Sequence, residues 1–524
     1  MKRLAGIVLA ITVMAMIAPT AVPAAAPRDT IVLGTTDKIT TLDPANSYDY
    51  WTWQVFWNTA EALVGFKPGT TQLVPLLATS WTVSSDGTVY TFKLRRGVTF
   101  TDGAPFNARA VKFSFDRALK LKGPEGAVGL IANIKSVDVV DSSTVRFTIK
   151  EADATFLSRL SESIPISDIV SPKTTPANTF AKGFKQFAGT GPYRLTQYTP
   201  GQRTVFEAYP GYWGPKPKSR RIITVFYADS AALAAAVESG QVDLAYRSFS
   251  PEDIKRLSGN QRLQVVKSPS FPSVRYIVFN VSAKPFDNSK LRRALSYAVN
   301  RDRIVGDVFA GLNQPLYSMV PPGMWSHLDT FPKRDLNKAK SLLGEAGYSE
   351  SNKLAITLWY TPSHYGTTES DAAAVLKSSI EETGLVSVDV KSSEWGDYTK
   401  AMSSGQFGMF LLGWYPDYVD PDNFLAPWLT ESPEGLGTFL NKATSVVDKA
   451  FYIEFQNILG DAKKTADQNR RSLLYKQAQQ KLADSAILIP LWQNLAQSYV
   501  IAQKNVKGIT LDATTVWRAY LLSK

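Results

Sequence analysis

Residues 75–117 read PLLATSWTVSSDGTVYTFKLRRGVTFTDGAPFNARAVKFSFDR. Two Asp-Gly pairs, Asp86-Gly87 and Asp102-Gly103, punctuate the stretch. Asp-Gly is turn chemistry, because glycine takes a positive φ without steric cost. Trp81 and Val83 alternate with polar residues before the first turn; Tyr90, Phe92 and Leu94 alternate after it. A period of two puts those side chains on one face, so the segment predicts a hairpin with one buried side. Past the second turn, Asn107 stands where a helix N-cap belongs, and Val111, Phe115 and Ala118 follow at helical spacing. A second hairpin is expected beyond, with Val137 and Val139 facing Val145, Phe147 and Ile149 across Asp141–Ser143. Residues 73–150 are therefore expected to form a small sheet with one helix.

The flanks have a different character. Upstream, Thr30 to Leu33 reads as a strand, Asp43-Pro44 as a polar loop, and Tyr50 to Leu63 as a helix with Trp53, Phe56, Trp57 and Ala60 on one side. Downstream, Gly189-Thr190-Gly191-Pro192-Tyr193 turns into a strand. Ile222 to Tyr227 is a strand, Asp229 caps an Ala-rich helix that ends near Gly240, and Val242-Asp243-Leu244 begins another strand. Strand–helix–strand units of this kind build α/β folds. The pattern continues at larger scale. Asn288 caps a helix with Leu291, Leu295, Ala298 and Val299 inward; Asp335 caps one with Ala339, Leu342 and Leu343 inward and Gly347 as its stop. Leu354 to Tyr360 is a strand, 371–383 a helix stopping at Gly384, and Val386 to Val390 a strand. A long helical stretch over about 466–484 precedes a last strand from Ile487 to Trp492. At 524 residues the chain exceeds the roughly 250–300 residues at which one core stops growing, so at least two lobes are required.

The first residues stand apart. Lys2 and Arg3 precede an apolar stretch from Leu4 to Ala18, followed by Pro19, Pro23 and the small residues Ala24 to Ala26. That order of charge, apolar core and small residues predicts a secretory signal peptide over 1–26, cleaved after Ala24 or Ala25. The chain has no cysteine, which rules out a lipoprotein anchor, disulfides and thiolate chemistry. The formal charge of +12 is spread along the chain with only short clusters such as Lys216–Arg221. Without a nucleic-acid motif it reads as a solvated basic surface and predicts no nucleic-acid partner.

Catalytic constellations are missing. The two histidines, His327 and His364, lie far apart in loop-like sequence, and no G-x-S-x-G elbow, P-loop or G-x-G-x-x-G turn occurs. Asp420 and Asp422 are a carboxylate pair of a kind that any chain with 46 acidic residues offers many times, and the cluster Asp417, Asp420, Asp422 and Asn423 suggests calcium but lacks the glycine and terminal glutamate spacing of a calcium loop. The reading is a protein that is not an enzyme and needs no cofactor or metal.

Eight blocks, in order, carry a resemblance. They are Leu42-Asp43-Pro44-Ala45, the Pro75–Arg117 stretch, GTGPYRL at 189–195, YPGYWG at 209–214, SGQVDL at 239–244, FNVSAKPFDNSKLRRALSYAVNRDRIV at 279–305, AKSLLGEAGY at 339–348 and GWYPDYVDP at 413–421. Together they resemble the family-5 solute-binding proteins of ABC importers, which include peptide, dipeptide and nickel binders. The resemblance implies an α/β type II periplasmic-binding fold of three lobes, with the ligand cleft between the two larger ones. By similarity, one lobe comprises 27–64, 185–282 and 489–524, a small accessory lobe 65–184, and the third lobe 283–488. It implies a soluble, monomeric periplasmic receptor that closes on a peptide or peptide-like amine and delivers it to ABC permease subunits. An oligosaccharide or nickel-complex receptor of the same fold, a chaperone or signalling receptor, and a secreted hydrolase are the alternatives.

The same resemblance nominates site residues. Asp417 matches the aspartate that takes a ligand's α-ammonium group in peptide-binding relatives; turn capping beside Pro416 is its other reading. Trp414 and Trp395 match cleft-lining positions, Tyr48 matches a cleft loop, and Tyr415 is nominated by adjacency. Some oligopeptide binders carry an arginine two residues before the motif glycine, where it meets a ligand carboxylate; Leu411 stands there in this chain.

Overall fold

The computed structural model describes residues 29–524 except 248, 269–272, 363, 367, 430–436, 496–498, 512, 513 and 515. The expected signal peptide and its cleavage site fall outside the described residues.

Two large mixed sheets dominate. The first has seven strands in the order Leu263–Lys267, Tyr499–Gln503, Leu244–Tyr246, Thr30–Thr35, Arg221–Phe226, Arg203–Ala208 and Tyr193–Thr199. Helix Tyr50–Thr59 covers one face, burying Trp51, Trp53, Val55 and Trp57 with Ile31, Leu33 and Tyr193. Helices Ser230–Ser239 and Pro251–Ser258 cover the other through Leu233, Val237, Ile254 and Leu257. The tryptophan-rich helix is buried on every side rather than one, and it stops at Thr59 because Ala60 is already extended.

Gly189 and Gly191 close onto that helix end. The Gly191 amide donates to the Thr59 carbonyl at 3.1 Å, and a Cβ on either glycine would overlap the Thr59–Ala60 backbone. The GTGPY turn therefore serves close packing, not phosphate binding.

The second sheet has six strands in the order Gln314–Pro315, Leu488–Gln493, Val274–Phe279, Met409–Trp414, Leu354–Tyr360 and Val386–Ser392. Helices Ser289–Ala298, Leu336–Glu345, Glu369–Glu381, Val446–Lys464 and Gln468–Ser485 contribute to its core. Strand Val274–Phe279 belongs to this second sheet, so the chain leaves the first lobe before Val274 and not at 282. Strand Leu488–Gln493 also belongs here, so the return falls after Gln493 and not at 488. Pairing with the distant Met409–Trp414 decides this, and no local pattern reports it.

A four-stranded antiparallel sheet forms the small lobe: Ala78–Val83, Val89–Leu94, Thr144–Ile149 and Ile134–Asp141, packed by helix Ala108–Leu121. Trp81 opposes Phe92 and Val83 opposes Tyr90; Val137 opposes Phe147 and Val139 opposes Val145. The Asn107 side chain accepts from the Arg109 and Ala110 amides as the predicted cap. This lobe is pinned to the first by Arg117, whose guanidinium pairs with Asp43 while donating to the Pro176 and Thr179 carbonyls at 2.6 and 2.9 Å. It is pinned to the second by Arg159, which donates to the Tyr418 hydroxyl at 3.0 Å. No helix among the described residues is long and apolar enough to cross a membrane.

Candidate ligand-binding site at the lobe boundary

Strand Met409–Trp414 runs through the core of the second lobe and emerges half-buried at Gly413 and Trp414. Gly413 is required by its neighbour: a Cβ there would collide with the buried guanidinium of Arg275. Arg275 lies 3.8 Å over the Tyr365 ring and pairs with Glu369 at 3.2 Å. The Tyr365 hydroxyl in turn donates to the Gly413 carbonyl at 3.3 Å.

Past Pro416 the chain turns under the control of Asn423, which is 2% exposed. Its Oδ1 accepts from the Asp417 amide at 2.8 Å and from Trp414 Nε1 at 3.2 Å. One amide thus sets the orientation of two predicted site residues. The remaining acidic groups of the motif are occupied by structural bonds. Asp420 caps the short helix Pro421–Phe424 and pairs with Arg471 at 2.9 Å. Asp422 accepts from Tyr418 at 2.6 Å. Asp417 instead faces the lobe boundary. It is 9% exposed, and its carboxylate accepts the hydroxyl of Tyr48 from the first lobe. Tyr48 is half exposed and sets its ring edge-on against Trp53 at 5.6 Å.

A second inter-lobe contact lies beside the first. Arg247, immediately after strand Leu244–Tyr246, places its guanidinium 4.1 Å over Tyr50 of its own lobe and 5.8 Å from the ring of Tyr415 of the other. Tyr50 and Tyr246 share a hydroxyl–hydroxyl bond at 2.7 Å beneath it. Tyr48 and Asp417 meet directly, and Tyr415 and Trp414 join them on the second-lobe side. Trp395 stands further back. It opens helix Trp395–Ser403, its ring stacks flat on His364 at 3.7 Å, and Tyr365 meets it edge-on at 5.7 Å.

Leu411 is 1% exposed in the second lobe's core. Sequence reasoning did not nominate Asn423 as a site organiser, nor Arg247, Tyr50 or Arg275. The SGQVDL block ends three residues before Arg247, and no residue-type signal marks it.

Among the described residues no group of histidine, aspartate and glutamate is arranged to hold a metal ion. The site instead offers the Asp417 carboxylate, the Arg247 guanidinium with Asp37 3.5 Å from it, and several aromatic faces, a set suited to holding a polar solute between two walls.

Comparison with known proteins identifies the family of the chain. The chain is 32% identical over 474 residues to the dipeptide-binding protein of Escherichia coli (strain K12), covering 86% of each. It is 32% identical to the glutathione-binding protein GsiB of Salmonella choleraesuis (strain SC-B67), covering 95% of this chain and 93% of the relative. Among solved structures, the periplasmic binding protein DppA from Helicobacter pylori in complex with the peptide STSA superposes with a TM-score of 0.74 at 27% identity, covering 94% and 98%. Residues 72–435 match the family model for bacterial extracellular solute-binding proteins, family 5, and the chain belongs to that family.

Proposed function

We propose that this solute-binding receptor captures a short peptide or peptide-like amine at the lobe boundary, with Asp417 taking the ligand's ammonium group. The observation that carries the reading is the Asp417 carboxylate, buried in a wall of the second lobe yet reaching across to Tyr48 of the first. A group bonded to both lobes' surfaces gains most when the lobes close, because closure excludes water and strengthens each polar contact. Trp414 and Tyr415 supply faces that tolerate varied side chains, and Trp395 acts behind them through His364 and Tyr365. The dipeptide- and glutathione-binding relatives share a ligand chemistry of this type.

The receptor hands its ligand to the permease of an ABC importer and performs no chemistry on it. The carboxylates that a hydrolytic dyad would need, Asp420 and Asp422, are held by Arg471 and Tyr418. We further propose a secreted monomer in the periplasm, released by cleavage of the 1–26 segment.

Native mass spectrometry against an equimolar dipeptide library and the same library N-acetylated tests the anchor. The free amines bind, the acetylated peptides do not, and Asp417→Asn weakens the free amines by roughly 10–100-fold, the size of a lost charge-assisted hydrogen bond. Equal binding of both libraries to the wild type removes the ammonium anchor.

A further inference from the structure

Tyr418 stands next to Asp417 in the motif turn, yet the two side chains reach different lobes. Asp417 accepts from Tyr48 of the first lobe, whereas Tyr418 is 3% exposed within the hydrophobic core of the small lobe. Among the described residues it is the one second-lobe side chain in that core. The guanidinium of Arg159, from the small lobe, lies 4.6 Å over its ring and donates to its hydroxyl at 3.0 Å. The same hydroxyl donates to Asp422 at 2.6 Å, which ties the ring to the turn that carries Asp417. The exchange is reciprocal, since Phe66 of the small lobe is buried in the core of the second.

A further contact lies along this seam. The Ala154 amide donates to the Lys463 carbonyl at 2.7 Å, satisfying an end carbonyl of helix Val446–Lys464. Asp153 is buried, and its Oδ2 accepts no hydrogen bond among the described residues. Lys463 Nζ of the second lobe stands 3.8 Å from that oxygen and Arg159 Nη1 stands 4.0 Å from it.

The two boundaries of the small lobe differ in kind. Toward the first lobe it is fastened by backbone bonds, from Thr101 to Gly189 at 2.9 Å, Ile169 to Glu61 at 3.0 Å and Ser171 to Ala188 at 2.9 Å, besides the Arg117–Asp43 pair. Toward the second lobe the contacts are mostly side chains, aromatic rings beside loosely spaced charges. Charges that part into water recover their hydration, so a contact of this mixed character releases at modest cost.

We propose that the small lobe takes part in closure: Tyr418 seats under Arg159 when the lobes close and leaves when they open, which makes Arg159 a positioning residue for the Asp417 turn. The inference goes beyond the assignment of the ligand, because it concerns the equilibrium between open and closed receptor with or without one.

The chain has no cysteine, so Arg109→Cys in the small lobe and Lys449→Cys in the second, both exposed positions, take spin labels selectively. Pulsed electron paramagnetic resonance of the full-length mature protein reads the distance between them, with and without an equimolar dipeptide mixture. The wild type shows a short and a long distance, and the mixture enriches the short one. In the ligand-free protein Arg159→Gln lowers the ratio of short to long by roughly tenfold, Tyr418→Phe lowers it by about threefold, and Arg159→Lys restores part of it. A merely structural role would lower the melting temperature and leave the ratio alone. If Arg159→Gln is not folded, Tyr418→Phe and Arg159→Lys decide. An unchanged ratio in the folded variants overturns the inference. A single distance whatever is added also overturns it, since the small and second lobes then move as one body. A mixture that leaves the wild-type ratio unchanged argues against the peptide reading, and the ligand-free comparison then decides this inference by itself.

Discussion

The Tyr48 hydroxyl donates to the Asp417 carboxylate across 369 residues of chain, tying a loop of the first lobe to the motif turn of the second. Because the bond exists only when the lobes meet, it stabilises the closed arrangement over the open one. Tyr48→Phe is expected to weaken binding of the preferred dipeptide by about tenfold, or ~1.4 kcal/mol. Small-angle scattering of the ligand-free variant should give a larger radius of gyration than the wild type. Unchanged affinity and radius would show that the contact has no part in closure.

The Arg117–Asp43 pair makes a prediction about stability. Both side chains are almost wholly removed from solvent, and Asp43 also accepts from the Ala45 and Ala181 amides at 2.9 and 2.6 Å. Removing one charge strands the other, so Arg117→Met or Asp43→Leu should each cost about 3–5 kcal/mol. The double variant should cost less than the sum of the two. Urea unfolding of the three proteins measures this; additive losses would argue against a coupled pair.

Glu61 provides a pH dependence. It accepts from Thr190 and Trp213 at 2.7 and 2.8 Å and from Tyr212 at 2.9 Å. Burial nonetheless pushes it from 4.5 to about 7. A carboxyl raised on folding holds a proton that the unfolded chain releases. Its contribution is present below pH 4.5 and is lost as pH rises through 7. The chain should therefore be more stable at pH 5 than at pH 8 by up to about 3 kcal/mol from this group. Burial also raises Asp168 nearby, which adds in the same sense. Glu61→Gln should flatten the profile of melting temperature against pH; an unaltered slope would assign it to other groups.

Gln54 is a stabilisation target. Its amide is buried in helix Tyr50–Thr59 against a small cavity lined by Leu33, Tyr193 and Trp517, and neither Nε2 nor Oε1 has a hydrogen-bond partner among the described residues. Gln54→Met keeps the volume and removes the unpaired dipole. A gain of about 1 kcal/mol is expected in chemical denaturation, and a loss would show that the amide is satisfied in solution.

Much of the fold was legible where the signal is local. Asn107, Asp229, Asn288 and Asp335 each cap the helix expected of them, because a side-chain oxygen in that position has a backbone amide within reach. The Trp81–Phe92 register followed from alternation around Asp86-Gly87. Helix Val446–Lys464 went unpredicted, since exposed Val446, Val447 and Ile453 blur its apolar stripe. The sheet membership of Val274–Phe279 depends on a partner 130 or more residues away. Asp417 was findable only through its motif; by residue type it is one acid among 46. Arg247 had no sequence signal at all, because a left-handed arginine looks like any other until the backbone is seen.

Strand Tyr499–Gln503 sits inside the first sheet, between Leu263–Lys267 and Leu244–Tyr246. Until it arrives, both neighbours present bare edges. The ribosome makes this strand long after both of its neighbours, so the lobe begun first waits for a late segment before its sheet is complete. Truncation near the C-terminus should therefore damage the N-terminal half of the molecule as severely as a cut within it.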